Sequence, residues 1–294
     1  MPRVHLEKLI VETTQACNIA CEHCGRDKPR MKEISKETID NLARQVKYVG
    51  NLSITGGEPF LAPEPAENLA EAFMQPDGPR LFSWNVIANG TIWNDKVKEA
   101  LRKLHLAANM LNEDSELSPE GKIAISNTKW HKDARKEANI SKHRLARNKK
   151  LMRESAEYIG VKRFNFNYGF DLDELHDMGR AKKVDISKIE KICSRPKFEM
   201  REMDNGDIHI KGNIYIDVDG NVCPWGASME YDEQASRAWG NINKEPLYDI
   251  LKRAKEQIIC PALSTWEKLK EVKGGGVDRQ GTWQEWHRAL RGNK

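Results

Sequence analysis

The chain has 294 residues, 39% of them hydrophobic and 31% charged, with a formal net charge of +4 at pH 7. That length holds one large α/β domain with a small appendage, the composition excludes a disordered chain, and no apolar run is long enough to span a bilayer. The first 12 residues lack the basic-then-apolar order of a signal peptide, and the six cysteines are clustered, so a reducing, cytoplasmic interior is expected rather than a disulfide framework.

In chain order, Leu6-Glu7-Lys8-Leu9-Ile10-Val11 reads as a first strand. Soon after it comes Cys17-Asn18-Ile19-Ala20-Cys21-Glu22-His23-Cys24, three thiols spaced C-x3-C-x2-C on one short loop. Tetrahedral zinc would want a fourth protein ligand, and His23 is awkwardly placed next to Cys24. A cubane iron–sulfur cluster held by three thiolates leaves one iron open to a ligand that is not protein. A zinc loop and three buried cysteines are the other readings of the same spacing.

Ser35 caps a helix with Ile39, Leu42 and Val46 at helical spacing. A short second strand, Asn51-Leu52-Ser53-Ile54-Thr55, ends in Gly56-Gly57-Glu58-Pro59. There two glycines let the backbone approach a ligand and a carboxylate follows at once. Pro63 and Pro65 open a helix through Leu69 and Phe73. The third strand, 82–88, ends in Asn89-Gly90-Thr91, and Asn94 caps a helix with Val97, Leu101 and Leu104 on one face. Three successive strand–helix units thus carry their unusual residues at the strand's carboxyl end, the face on which active sites assemble in barrels of parallel strands.

These motifs together resemble the radical S-adenosylmethionine (SAM) superfamily over residues 6–181. The resemblance implies that Cys17, Cys21 and Cys24 hold a [4Fe–4S] cluster whose open iron binds the amino and carboxylate groups of SAM. It implies that Gly56, Gly57, Glu58 and Pro59 line the methionine amino group, and that Asn89 and Gly90 match the family's Asn-Gly after the third strand. Two departures from the pattern matter, one at His23 and one on the fourth strand. His23 stands where an aromatic residue usually packs near adenine, and it could still stack there. A fourth strand expected at Leu104-His105-Leu106-Ala107-Ala108-Asn109-Met110 has Ala107 where the family has serine and Asn109 where it has aspartate. Asn109 then joins the cofactor residues, and a hydroxyl contact to SAM is missing or supplied from elsewhere. A fifth strand is expected at 122–130 and a sixth at 161–168.

Residues 130–153 are strongly basic, with Lys132, Arg135, Lys136, Lys142, Arg144, Arg147, Lys149, Lys150 and Arg153 against Asp133 and Glu137. A solvated helix face is the plain reading; a patch for phosphates or an acidic peptide is the sharper one. Met178-Gly179-Arg180-Ala181 resembles a loop common after the last barrel strand in SAM enzymes that carry an extra cluster domain.

Beyond it Cys193 ends a helix-like segment, 208–210 and 213–218 alternate like strands, and Asp219-Gly220-Asn221 is a hairpin turn before Cys223. A helix over 247–255 leads toward Cys260. This resembles the SPASM/twitch extension of the superfamily, which implies that Cys193, Cys223 and Cys260 hold an auxiliary [4Fe–4S] cluster. Its remaining iron would be open or completed by a side chain such as Asp217 or His209. After Gly274-Gly275-Gly276, Thr282 and Glu285 form a capping box and Trp283, Trp286 and Leu290 a stripe, the pattern of a docking helix.

The expected fold is α/β: a partial (β/α)6 TIM-like barrel over 1–181, a β-hairpin and helix twitch-like cap over 182–273, and a helical tail over 274–294. The resemblance implies reductive cleavage of SAM to a 5′-deoxyadenosyl radical that takes hydrogen from a C–H bond, for oxidative modification of a peptide or small molecule. It also implies a flavodoxin- or ferredoxin-type electron donor. Modification of a nucleotide or nucleic acid, bound through 132–153, is a second reading, and a non-catalytic iron–sulfur or zinc protein a third. No membrane partner is expected.

Overall fold

A computed structural model describes residues 2–24, 26, 28–110, 120–161, 163–168, 198–224, 231 and 238–257. The expected loop at 178–181, the cysteines Cys193 and Cys260 and the tail helix lie outside these residues.

The chain opens with β1 (Val4–Thr14), which is flanked on both sides and runs buried from Leu9 onward. The Ser35 side chain accepts from the Thr38 amide and starts α1 (Lys36–Gln45), which buries Ile39 and Leu42. Val46 is not the last residue of that helical stripe. Its extended backbone ends the helix and begins β2 (Val46–Gly56), a longer strand than the sequence pattern indicates. A 3-10 turn (Pro59–Leu61) and α2 (Glu64–Met74) follow, then β3 (Arg80–Ala88) and α3 (Asp95–Asn109), whose Asn94 cap accepts from the Val97 amide at 3.0 Å. Next come β4 (Glu120–Ser126), α4 (Lys129–Glu137), α5 (Lys142–Ile159) and β5 (Arg163–Tyr168). After the gap lie β6 (Phe198–Glu202), β7 (Ile208–Ile216), β8 (Asn221–Pro224), β9 (Gly240–Asn241) and α6 (Leu247–Gln257).

Among the described residues nine strands join one sheet in the order β5-β4-β3-β2-β1-β7-β8-β9, with β6 also paired to β7. Strands β1 to β5 are mutually parallel, and β7 runs parallel to β1 on its other side. The sheet is not closed: β5 and β9 are its two ends. This is the α/β partial-barrel architecture, with one correction to its bookkeeping.

Residues 104–110 are not a strand. Leu101, Leu104, Ala107 and Ala108 continue the buried stripe of α3 begun by Val97 and Ala100, while Leu106 is 39% exposed. That is a helical period of three and four, not an alternation. The fourth strand is therefore β4, and five strands succeed one another with helices between. The sixth parallel strand is β7, drawn from the segment expected to form a separate cap. The hairpin itself is as expected: β7 and β8 pair antiparallel around the Asp217–Gly220 turn, with Gly220 at φ 81°.

Candidate active site

Parallel strands deliver their carboxyl ends to one edge. Thr14 is paired with Gly56, and Ala88 with Ile125, so the loops after β1, β2, β3 and β4 meet there. The cysteine loop is pinned to this edge by backbone bonds. The Gly57 amide donates to Thr14 O and the Glu58 amide to Ala16 O, both at 2.7 Å. A Cβ on Gly57 would stand 2.1 Å from Ala16 O, and one on Gly56 would stand 2.3 Å from Thr14 O. The two glycines are thus required by close approach of the two loops.

The three cysteines pack on one small apolar cluster. Cys21 is buried with Ile19 and Ala134 of α4, and the half-buried Cys17 and Cys24 pack on the same cluster. The Cys24 amide closes a turn onto Cys21 O at 3.2 Å. The loop's other side is held by Asn18, whose side chain accepts from Asn89 Nδ2 at 2.9 Å and donates to Thr91 Oγ1 at 2.8 Å. Asn89 Nδ2 also lies 4.0 Å from Cys17 Sγ.

Glu58 is fully buried. One carboxylate oxygen accepts from the Phe60 amide at 3.1 Å and the other from the Asn89 amide at 2.5 Å. Burial raises its pKa to about 7, against the pull of those two amides and of Arg135. Arg135, from α4, is buried too. It donates to Asn89 O at 2.6 and 3.0 Å, to Asn127 Oδ1 at 3.1 Å and to Ser126 O. Burial lowers its pKa while Cys21 and Glu58 raise it, so a cation is held beneath the cysteine loop. Asn148 of α5 donates to Gly90 O at 3.3 Å.

His23 stacks on Trp130, with ring centroids 4.8 Å apart and 21° between planes, and meets His131 edge-on at 4.6 Å. Thr128 Oγ1 lies 2.7 Å from His131 Nδ1. Burial, with His23 and Arg135 nearby, pushes the His131 pKa down to about 3.

Behind the loop lies a second polar knot. Arg26, two residues past Cys24, pairs with the fully buried Glu12 and donates to Tyr215 Oη of β7 at 2.8 Å. Its guanidinium lies 5.6 Å from the Tyr231 ring centroid, and Gln15 Nε2 donates to Glu12 at 3.3 Å.

Of the residues expected at the site, Cys17, Cys21, Cys24, His23, Gly56, Gly57, Glu58, Pro59, Asn89 and Gly90 gather at this edge. Asn109 does not. It is the last residue of α3, and a helix that returns between parallel strands ends at their amino edge. The fourth strand ends instead in Ser126, half-buried, whose backbone oxygen accepts from Arg135. Arg135, Trp130 and His131 went unread because they lie within a basic run. Their signal was position, immediately after a strand that had been displaced by one element.

Cys223 is fully buried between Ile10 and Tyr215, and burial with Asp217 alongside pushes its thiol pKa well up. Asp217 is fully buried. Its carboxylate already takes the Asp219 amide at 2.9 Å, the Asn221 amide at 2.9 Å and Asn221 Nδ2 at 2.7 Å. His209 lies six residues before the Cys223 partner Tyr215 on β7, about 20 Å away along an extended strand.

A parallel, open α/β sheet with three thiols and a Gly-Gly-Glu loop at its carboxyl edge defines the class of molecule. The family model of the radical SAM superfamily matches residues 11–158, half of the chain, and the chain belongs to that superfamily. It is accordingly an iron–sulfur, SAM-dependent enzyme. No curated protein sequence matches significantly. Among solved structures it is similar to native anSMEcpe with bound AdoMet and Cp18Cys peptide, at 12% identity and a TM-score of 0.48, covering 84% of this chain and 80% of that one. It is also similar to Streptococcus suis SuiB bound to precursor peptide SuiA, at 13% identity and a TM-score of 0.39, covering 84% of this chain and 64% of that one. Likenesses this distant say nothing of this chain's substrate. Among the described residues no helix is long and apolar enough to cross a membrane.

Proposed function

We propose that Cys17, Cys21 and Cys24 would hold a [4Fe–4S] cluster and that Gly56, Gly57, Glu58 and Pro59 would line the amino group of SAM, with His23 beside adenine and Asn89 and Gly90 closing the third side. The donor set fits: three thiols on one packed loop leave one iron for a ligand that is not protein. When bound, the cluster and SAM together supply a 5′-deoxyadenosyl radical that removes hydrogen from a C–H bond.

This chain's own residues bind, orient and exclude water. The glycines let the loop after β2 lie flat on the cysteine loop. Buried Glu58 fixes Asn89 by its amide, and Asn89 fixes Asn18, so three loops move as one. Buried Arg135 holds a positive charge against Asn89 O and Ser126 O, where an anionic group of the cofactor would be met without reorganisation. Ile19, Ala134 and Ala138 keep water from the thiols.

The single observation that carries this reading is the junction of the three-cysteine loop with the Gly-Gly-Glu loop through two 2.7 Å backbone bonds. Anaerobically reconstituted protein given dithionite and SAM should release 5′-deoxyadenosine, and Cys21→Ala should not; equal rates would end the proposal.

The finer reading is oxidative modification of a peptide or small molecule in the cytoplasm, with electrons from a flavodoxin- or ferredoxin-type donor. An auxiliary [4Fe–4S] cluster at Cys193, Cys223 and Cys260 would accept the substrate's electron. Lys142, Arg144, Arg147, Lys150 and Arg153 are exposed on α5, whose Asn148 reaches Gly90 O just after β3, so their placement does not separate this reading from the nucleic-acid one. Their density alone favours the nucleic-acid reading. Deuterium transfer from labelled candidates into 5′-deoxyadenosine separates the two.

A further inference from the structure

We infer that Cys21, His23 and His131 form a binding site for one divalent metal ion of the zinc class in the protein before its cluster is assembled. One ligand atom from each of the three lies within 4.8 Å of the others. A tetrahedral zinc ion with sulfur at about 2.3 Å and nitrogen at about 2.0 Å sets ligand-to-ligand edges of roughly 3.3–3.6 Å. A closure of roughly 1.2–1.5 Å on the longest edge therefore completes the site. One thiolate and two imidazoles are a zinc-type donor set, and a water, or one of Cys17 and Cys24 from the same apolar cluster, can fill the fourth position.

Two further contacts prepare the imidazoles. Thr128 Oγ1 sits 2.7 Å from His131 Nδ1, which leaves Nε2 as the coordinating nitrogen, the outer-shell arrangement that fixes the tautomer at metal sites. Trp130 stacks on His23 and restricts its ring. The two imidazoles already stand edge to face at 4.6 Å and 71°, a geometry in which both can point at a common ion.

Cys21 cannot serve zinc and an iron–sulfur cluster at once. The two metal forms exclude each other, and a zinc-loaded chain is held out of the SAM reaction until the ion leaves. His131, which the proposed SAM site does not use, is the residue that separates the two.

The experiment is an anaerobic titration of cluster-free protein with Co²⁺, followed by competition with Zn²⁺. One Co²⁺ per chain should bind with tetrahedral d–d bands and a thiolate charge-transfer band, and Zn²⁺ should displace it. His131→Gln should weaken binding by at least about tenfold, and Thr128→Val by about tenfold through loss of the outer-shell contact. His131→Gln should still take up iron as the wild type does, which shows that it folds. Wild type already carrying its cluster should bind no Co²⁺ at this site. Absence of Co²⁺ binding by the wild type, or unchanged affinity in His131→Gln, would overturn the inference. Co²⁺ behaviour as described in a chain that never assembles a cluster would uphold it while sinking the proposed SAM chemistry.

Discussion

At the scale of single residues, Glu58 makes the site pH-sensitive. Its carboxyl titrates near 7 in the fold and near 4.5 when exposed, because burial disfavours the anion. Between those values the folded chain holds a proton that the unfolded chain has released. Stability of the cluster-free protein should therefore fall as pH rises from about 4.5 to about 7, by a total on the order of 3 kcal/mol, and then level off. Glu58→Gln should remove that slope. Below about pH 4.5 it should also lower stability by about 1–3 kcal/mol, since one of the Phe60 and Asn89 amides loses its acceptor, and that deficit should vanish or reverse by pH 7 as the wild type loses its own stability. Chemical denaturation at several pH values reads both effects, and a slope that survives in Glu58→Gln would assign it elsewhere. Gly57→Ala tests the loop junction. Its Cβ would meet backbone at 2.1 Å, so the loops must part, at a cost of about 1–3 kcal/mol and with loss of SAM affinity measured by equilibrium binding.

At the scale of elements, β7 does more than extend the sheet. Through Tyr215 it grips Arg26 and so fixes the far end of the cysteine loop, while Glu12 of β1 neutralises the cation. Arg26→Met would leave the buried Glu12 carboxylate without its guanidinium counter-charge, and should destabilise the cluster-free protein by about 3–5 kcal/mol. Tyr215→Phe removes only one charge-assisted hydrogen bond and should cost about 1.5–3 kcal/mol. If the grip positions the loop, Tyr215→Phe should also alter the electron paramagnetic signal of the reduced cluster on adding SAM while iron content holds. An unchanged signal would reduce the contact to packing.

The first three strand–helix units were legible because Ser35, Asn94 and the Gly-Gly-Glu-Pro turn mark ends that the apolar pattern alone leaves vague. What failed was the end of α3. Leu104-His105-Leu106 alternates over three residues, long enough to suggest a strand, and only the stripe continuing from Val97 reveals a helix. That one error made β4 and β5 the fifth and sixth strands rather than the fourth and fifth, and assigned Asn109 to the wrong edge. Legible too were the hairpin turn at 219–221 and the helix after 247. Its pairing with β1 was not, because parallel partnership between residues two hundred apart leaves no local pattern.

At the scale of the whole molecule, one sheet carries the three-cysteine loop at the end of β1 and Cys223 on β8. Cys223 sits on β8 beside Tyr215, which bonds Arg26 near Cys24, so the two proposed clusters would share a rigid support. Full reconstitution should give roughly eight irons per chain, falling to about four in the Cys193/Cys223/Cys260 triple alanine variant with SAM cleavage retained. About four irons in the wild type would remove the auxiliary cluster from the account and leave the rest.

The central claim is that the loop at the carboxyl edge of β1 makes SAM cleavage possible. Its most direct test is 5′-deoxyadenosine formation by anaerobically reconstituted wild type, Cys17→Ala, Cys21→Ala and Cys24→Ala under dithionite. The account predicts formation by the wild type and loss in each variant. Formation at the wild-type rate by any one of the three would contradict it.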